Sequence, residues 1–146
     1  MKKKMGAWIS LGVLLSIICL ALVGCGGGSG GDNAPVVVVD CSTVTSVATV
    51  TASSAIYFNP KMIPISVNGV VRWISDDAVQ EHTVTSGIVY EDLVWATTVT
   101  PDGKFDQSLS SNGSTVCLKF TAAGSYSYYC KYHYSSGMTG IVKVTP

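Results

Sequence analysis

Apolar and polar positions change rhythm twice along this chain. From Gly6 to Val23 the residues are almost all apolar, interrupted by Ser10, Gly12 and Ser16. From Gly26 to Pro35 the chain reads Gly-Gly-Gly-Ser-Gly-Gly-Asp-Asn-Ala-Pro, with almost nothing to bury. From Val36 onward, short runs of β-branched and aromatic residues alternate with turn-forming residues, the pattern of an all-β fold. The runs predict strands at Val36–Val39, Val44–Thr51, Ile56–Phe58, Ile63–Val67, Val70–Ser75, His82–Ser86, Val94–Thr100, Phe105–Leu109, Ser114–Phe120, Gly124–Cys130 and Gly140–Val144. Asn68-Gly69 predicts a hairpin turn, and Asp102-Gly103 and Asn112-Gly113 predict further turns. Nothing after the leader sustains helical periodicity. Many short strands joined by Gly and Asn turns imply a β-sandwich or barrel. Val36–Val39 reads as an added edge strand or an extended arm. Gly87–Ala96 has no regular rhythm.

The three zones divide the chain into residues 1–24, 25–35 and 36–146. The last is long enough for one domain. Lys2, Lys3 and Lys4 precede the apolar run, as in a secretory leader. The run ends in Leu22-Val23-Gly24-Cys25, which resembles a bacterial lipobox. That resemblance implies cleavage before Cys25 and lipid on its thiol. An uncleaved membrane anchor is the alternative, since the run is nearly long enough to span. Either way the domain is expected in the cell envelope, outside the cytoplasm and tethered to a membrane. Gly26 rather than Asp after the Cys favours the outer membrane. The ten-residue linker gives the domain a reach of roughly 17 Å.

Acidic and basic residues number 9 each in the whole chain. From Cys25 onward, 6 basic residues stand against 9 acidic ones, a formal −3. No basic patch suggests nucleic acid. Asp76, Asp77 and Glu81 cluster just before His82. They read either as an ordinary solvated loop or as an acidic rim that steers a basic partner such as a c-type cytochrome.

The chemistry gathers near the C-terminus. Cys130-Lys131-Tyr132-His133-Tyr134-Ser135-Ser136-Gly137-Met138 holds a thiol, an imidazole and a thioether within nine residues. His82 is the one other histidine. A thiolate, two imidazoles and a thioether are the ligand set of a mononuclear blue-copper site, because soft sulfur suits Cu(I) and imidazole suits either state. Zinc, which prefers four strong Cys, His or carboxylate ligands, is poorly served by a Met. Gly137 and Gly140 are expected to let the ligand loop turn tightly.

Cys19 would leave with the leader, Cys25 would take lipid and Cys130 copper. Cys41 and Cys117 remain, an even pair in an oxidising compartment. Val116, Leu118 and Phe120 alternate inward, so Cys117 points out of the core. A disulfide with Cys41 is expected if the N-terminal segment lies across that face; two free thiols are the alternative.

From about Val47 to Pro146 the chain resembles a cupredoxin of the plastocyanin and pseudoazurin type. The resemblance rests on Tyr57-Phe58-Asn59-Pro60, Val67-Asn68-Gly69-Val70-Val71-Arg72-Trp73, Glu81-His82-Thr83-Val84-Thr85, Pro101-Asp102-Gly103-Lys104-Phe105-Asp106 and Gly124-Ser125-Tyr126-Ser127-Tyr128-Tyr129-Cys130. It implies a Greek-key β-sandwich with one type 1 copper, held by His82, Cys130 and His133 equatorially and Met138 axially. It also implies electron exchange through a partly exposed His133. Two positions depart from the family pattern. Tyr132 stands where many relatives have Pro, and Thr83 where many have Asn. The Thr83 hydroxyl is expected to hydrogen-bond behind the ligands. Tyr126 and Tyr128 share the inward parity of Cys130. Tyr129, Tyr132 and Tyr134 are expected to collar His133, and Tyr129 resembles the position of a second electron route in plastocyanins.

The resemblance implies a monomeric electron carrier between redox partners, such as a c-type cytochrome or a membrane oxidoreductase, and not an enzyme. With both histidines used by one site, the chain cannot build a second, catalytic copper. Copper capture and delivery is the alternative. No Met-rich or His-rich tract supports it.

Overall fold

The structure is a computed structural model that describes residues 34–92 and 95–146, with the backbone alone for residues 91, 92 and 95–97. The leader, Cys25 and nearly all of the linker lie outside the described residues, as does Val94. No helix among the described residues is long and apolar enough to cross a membrane.

Among the described residues ten strands form: β1 (Val36–Val39), β2 (Ala48–Ser53), β3 (Tyr57–Asn59), β4 (Met62–Ser66), β5 (Val70–Ser75), β6 (His82–Asp92), β7 (Trp95–Leu109), β8 (Thr115–Phe120), β9 (Gly124–Tyr129) and β10 (Thr139–Thr145). They make two five-stranded sheets, ordered β1-β8-β5-β2-β3 and β4-β10-β9-β6-β7. This is the expected all-β sandwich. Alternation dictates it: Val116, Leu118 and Phe120 of β8 meet Tyr126, Tyr128 and Val142 from the facing sheet in one core. Aromatic rings fill its centre. Trp73 packs edge-on against Tyr128 at 5.4 Å, and Phe58 lies 4.9 Å from Tyr128. A Cβ on Gly140 would lie 2.4 Å from the Tyr128 hydroxyl, so this glycine serves close approach rather than the turn expected of it.

Three expectations change. Asn68-Gly69 does turn the chain, with the Gly69 N–H donating to the Ser66 carbonyl at 2.9 Å and Asn68 at φ 69°. The strands it joins, β4 and β5, belong to opposite sheets, so no hairpin forms. The runs around Val94–Thr100 and Phe105–Leu109 belong to one strand, β7. The Asp102-Gly103 turn becomes a bulge inside it, between the pairs Thr85↔Asp106 and Gly87↔Pro101. The strand expected from Val44 begins only at Ala48. The cause is topological. β1 adds to the free edge of β8, and β2 lies beyond β8 and β5 in the same sheet. Residues 40–46 must therefore cross that sheet, and the chain rejoins it where the Val47 N–H donates to the Val70 carbonyl at 2.8 Å.

The crossover is pinned in three ways. Asp40 accepts from the Ser42 amide and hydroxyl, and closes a turn with Thr43. Arg72 Nη2 donates to the Cys41 carbonyl at 2.8 Å. Cys41 and Cys117 form a disulfide. Cys117 is 1% exposed yet stands outside the hydrophobic core, on the outer face that the crossover covers.

Replacing Cys41 and Cys117 together by Ser is expected to lower unfolding free energy by about 2–5 kcal/mol. Guanidinium denaturation of both proteins, with and without reductant, reads this. A wild-type midpoint that reductant leaves unmoved would show that the crossover holds without the bridge.

Candidate metal centre

The strand ends place the site. β5 and β9 both finish at the end of the sandwich where β6 and β10 begin. His82 opens β6, Cys130 follows β9, and Met138 precedes β10. His133 lies between them, where a single 3-10 turn, Tyr134–Ser136, ends at Gly137 with φ 83°. The left-handed conformation at Gly137 closes the loop, as expected of it. Backbone bonds fix the loop further: Cys130 N–H donates to the Met138 carbonyl at 3.0 Å, and Met138 N–H to the His133 carbonyl at 3.2 Å. Met138 is fully buried and joins the core.

Three ligand atoms converge. His82 Nδ1 and His133 Nδ1 are 3.2 Å apart, and Cys130 Sγ lies 3.9 Å and 3.4 Å from them. A point equidistant from all three lies about 2 Å from each, the length of a metal–nitrogen bond. His82 and Cys130 are fully buried, and His133 is half-buried. Three lone-pair donors facing one another are repulsive unless a proton or a cation sits among them. The residues present therefore suit a soft cation, and the sulfur and imidazole set suits copper.

The far side of each ring decides which nitrogen carries hydrogen. His133 Nε2 faces the Gln80 amide oxygen at 3.0 Å. His82 Nε2 lies 3.3 Å from Asp77 Oδ2, an ion-pair distance outside good hydrogen-bond geometry, and neither buried atom has another partner. Hydrogens on both Nε2 atoms leave the Nδ1 lone pairs turned to the centre. Burial first, and the neighbouring His133 second, hold the His82 imidazole below its ordinary pKa, while Asp77 pulls the other way. The ring is thus kept neutral and able to donate a lone pair.

Thr83 links the two ligand-bearing strands. Its amide points at Cys130 Sγ at 3.4 Å, and its hydroxyl accepts the Lys131 N–H at 2.9 Å. The expected hydrogen bond behind the ligands is therefore present. Thr85 adds to it, standing 3.0 Å from the Thr83 hydroxyl and 2.9 Å from Asp106 Oδ1. Asp106 in turn pairs with Lys131 Nζ.

Two placements differ from expectation. Asp77 does not belong to an acidic rim; it is 2% exposed and turned inward to His82, leaving Asp76 and Glu81 at the surface. The tyrosine collar divides. Tyr132 is exposed and its ring lies 6.3 Å from His133, whereas Tyr134 turns to Tyr129 at 6.0 Å. Tyr129 is buried under Gly87, where a Cβ would come within 2.9 Å of its ring, so a route through Tyr129 has no surface of its own to end on. Gln80 and Asp77 were the functional contacts hidden in sequence. Both sit in a loop, where no periodicity tells which way a side chain points.

The family of copper-binding proteins described as the plastocyanin/azurin family matches residues 45–145. The chain belongs to that family. It is 31% identical to chloroplastic plastocyanin of Chlamydomonas reinhardtii over 93 residues, which is 63% of this chain and 61% of that protein. It is 27% identical to plastocyanin of Scenedesmus fuscus over 92 residues, 63% of this chain and 90% of that one. The chain thus spans about three fifths of the length of the algal chloroplastic relative it matches. Among solved structures, a reduced Cu(I) form of an amicyanin mutant superposes with a TM-score of 0.52 at 19% identity, covering 76% of this chain and 99% of that one. That likeness shows the shared sandwich fold.

Thr83→Val keeps the shape of the side chain but removes the acceptor for the Lys131 N–H in a part-buried hydrogen bond. It is expected to cost about 0.5–1.5 kcal/mol of stability in the metal-free protein, with Thr83→Ser close to wild type. Urea denaturation of the three proteins would show equal midpoints if the hydroxyl does not tie the strands together.

Proposed function

We propose that this cupredoxin is a membrane-tethered carrier of single electrons. His82, Cys130, His133 and Met138 would hold the metal. The convergence of two Nδ1 atoms and one thiol on a single point carries the reading. When bound there, copper supplies one-electron chemistry between Cu(II) and Cu(I). The protein's part is to hold the donors so that neither state needs the site to rearrange. Strand ends, the Thr83 bridge and the closed 133–138 loop provide that rigidity.

His133 is the exchange edge. It alone of the four is half-exposed, beside exposed Tyr132. Electron transfer falls off steeply with distance, so a partner docking at that end gains the shortest path. The opposite end suits a tether. The Ala34 carbonyl accepts the Thr121 hydroxyl at 2.7 Å, next to the Val36↔Phe120 pair and far along β8 from Thr115. A lipid on Cys25 followed by a flexible linker would anchor the domain by that end and turn His133 away from the membrane. A cytochrome or membrane oxidoreductase in the cell envelope fits such a geometry. Both histidines of the chain serve this one site, which leaves none for a catalytic copper.

Titration of the full chain in detergent with Cu(II) is expected to give an intense visible band that saturates at one equivalent and bleaches on reduction. Cys130→Ser is expected to abolish the band. Folded wild-type protein without such a band would overturn the carrier reading. A band with rapid loss of Cu(I) to a competing chelator would favour copper delivery instead.

A further inference from the structure

The two histidines are backed by unlike partners. Behind His133 stands a neutral amide at the surface, Gln80 Oε1. Behind His82 stands a carboxylate, Asp77, sealed from water at 2% exposure. A carboxylate is rarely buried without full compensation. One oxygen is compensated: Asp77 Oδ1 accepts the Val79 N–H at 2.8 Å and the Gln80 N–H at 2.9 Å. The other has nothing but the His82 ring, with Oδ2 3.3 Å from Nε2. The Asp77 backbone is held as well, its N–H donating to the Ser75 hydroxyl at 3.2 Å. The carboxylate is thus a fixed negative charge one imidazole away from the metal position.

Resting on the proposed copper site, we infer that Asp77 is a positioning residue that sets the tautomer of His82 and biases the centre toward Cu(II). Two physical effects act together. An Oδ2 acceptor keeps hydrogen on Nε2, so the Nδ1 lone pair faces the metal. A negative charge in a dry environment favours the more positive metal state, and burial keeps water from screening it. The same carboxylate also binds the Gln80 amide, so it sets the loop that presents the Gln80 side chain to His133.

Asp77→Asn is the test. Its amide oxygen can still accept the Val79 and Gln80 N–H groups, while its NH2 would face the His82 Nε2 hydrogen. The first readout needs no metal. Nitrogen-15 spectra of the apoprotein are expected to show His82 with hydrogen on Nε2 in wild type and a shift toward Nδ1 in the variant. The second readout uses the copper-loaded protein. Cu(II) affinity is expected to fall about 10- to 100-fold, with Cu(I) affinity falling less. Each tenfold difference between the two raises the reduction potential by 59 mV. Glu81→Gln removes an exposed charge next to His82 in sequence and is expected to shift the potential far less, because water screens it.

Hydrogen on Nδ1 of His82 in wild-type apoprotein would overturn the pairing even if the variant failed to fold. Equal potentials for wild type and Asp77→Asn, or an equal shift from Glu81→Gln, would overturn the electrostatic role. Failure of the wild type to take up copper would overturn the electron-carrier reading and the bias toward Cu(II). The apoprotein spectra would still decide the pairing.

Discussion

Everything at the functional end of this protein follows from one constraint: three electron-rich atoms must be held within 4 Å of one another without a proton among them. Left to themselves, two imidazoles and a thiol would rotate apart or protonate. The fold prevents both. Rotation is blocked because His82 and Cys130 are fully buried and bound to neighbouring strands. Burial holds the interior His82 ring below its ordinary pKa, and an oxygen stands behind each Nε2, Asp77 for His82 and Gln80 for His133, so that the single hydrogen of a neutral ring is placed away from the centre. A sandwich is well suited to this. Its sheets are rigid along their length, and its strand ends bring distant segments together at a defined spacing.

The partners of the two rings differ in a way that matches their positions. His82 is interior and paired with a charge; His133 is at the edge and paired with an amide. A buried charge acts strongly because little water screens it. A charge behind the edge histidine would be screened by solvent and would meet any docking partner. On the proposed reading, placing the carboxylate behind the interior ring separates tuning of the metal from contact with a partner at His133. The bridge through Thr83 performs a third task. It binds the strand carrying His82 to the segment after Cys130, so ligands 48 positions apart in sequence move as one body.

Sequence reading succeeded where physics is local. Inward parity placed Val116, Leu118, Phe120, Tyr126 and Tyr128 in the core, and it turned Cys117 outward, where Cys41 meets it. The cluster of Cys130, His133 and Met138 was legible because spacing on one loop limits how far apart its residues can be. The failures share a cause. Periodicity states which face of a strand a residue occupies, not which strand lies alongside. Asn68-Gly69 therefore announced a turn correctly and the wrong pairing across it. The crossover through residues 40–46 looked like a strand because Val44 and the following Val47 carry strand-like composition, while its course is fixed by the order of strands in the sheet. Asp77 looked like surface charge because a loop carboxylate usually is. Only the fold supplies two N–H groups and a histidine on its inner side.

The departures from the family pattern can be weighed on the same footing. A hydroxyl at Thr83 is shorter than the amide many relatives carry, yet it reaches the Lys131 N–H at 2.9 Å, and Thr85 and Asp106 extend the link to β7. The connection survives the change of residue because neighbouring strands lengthen it. Tyr132 in place of Pro leaves the loop without a ring-fixed φ. The loop compensates with backbone bonds at both ends, from Cys130 to Met138 and from Met138 to His133, and with the left-handed Gly137. Rigidity at this site is thus a property of the closed loop and its bridges rather than of any single residue type. A substitution within the loop should be judged by the hydrogen bonds it removes, not by its distance from the family consensus.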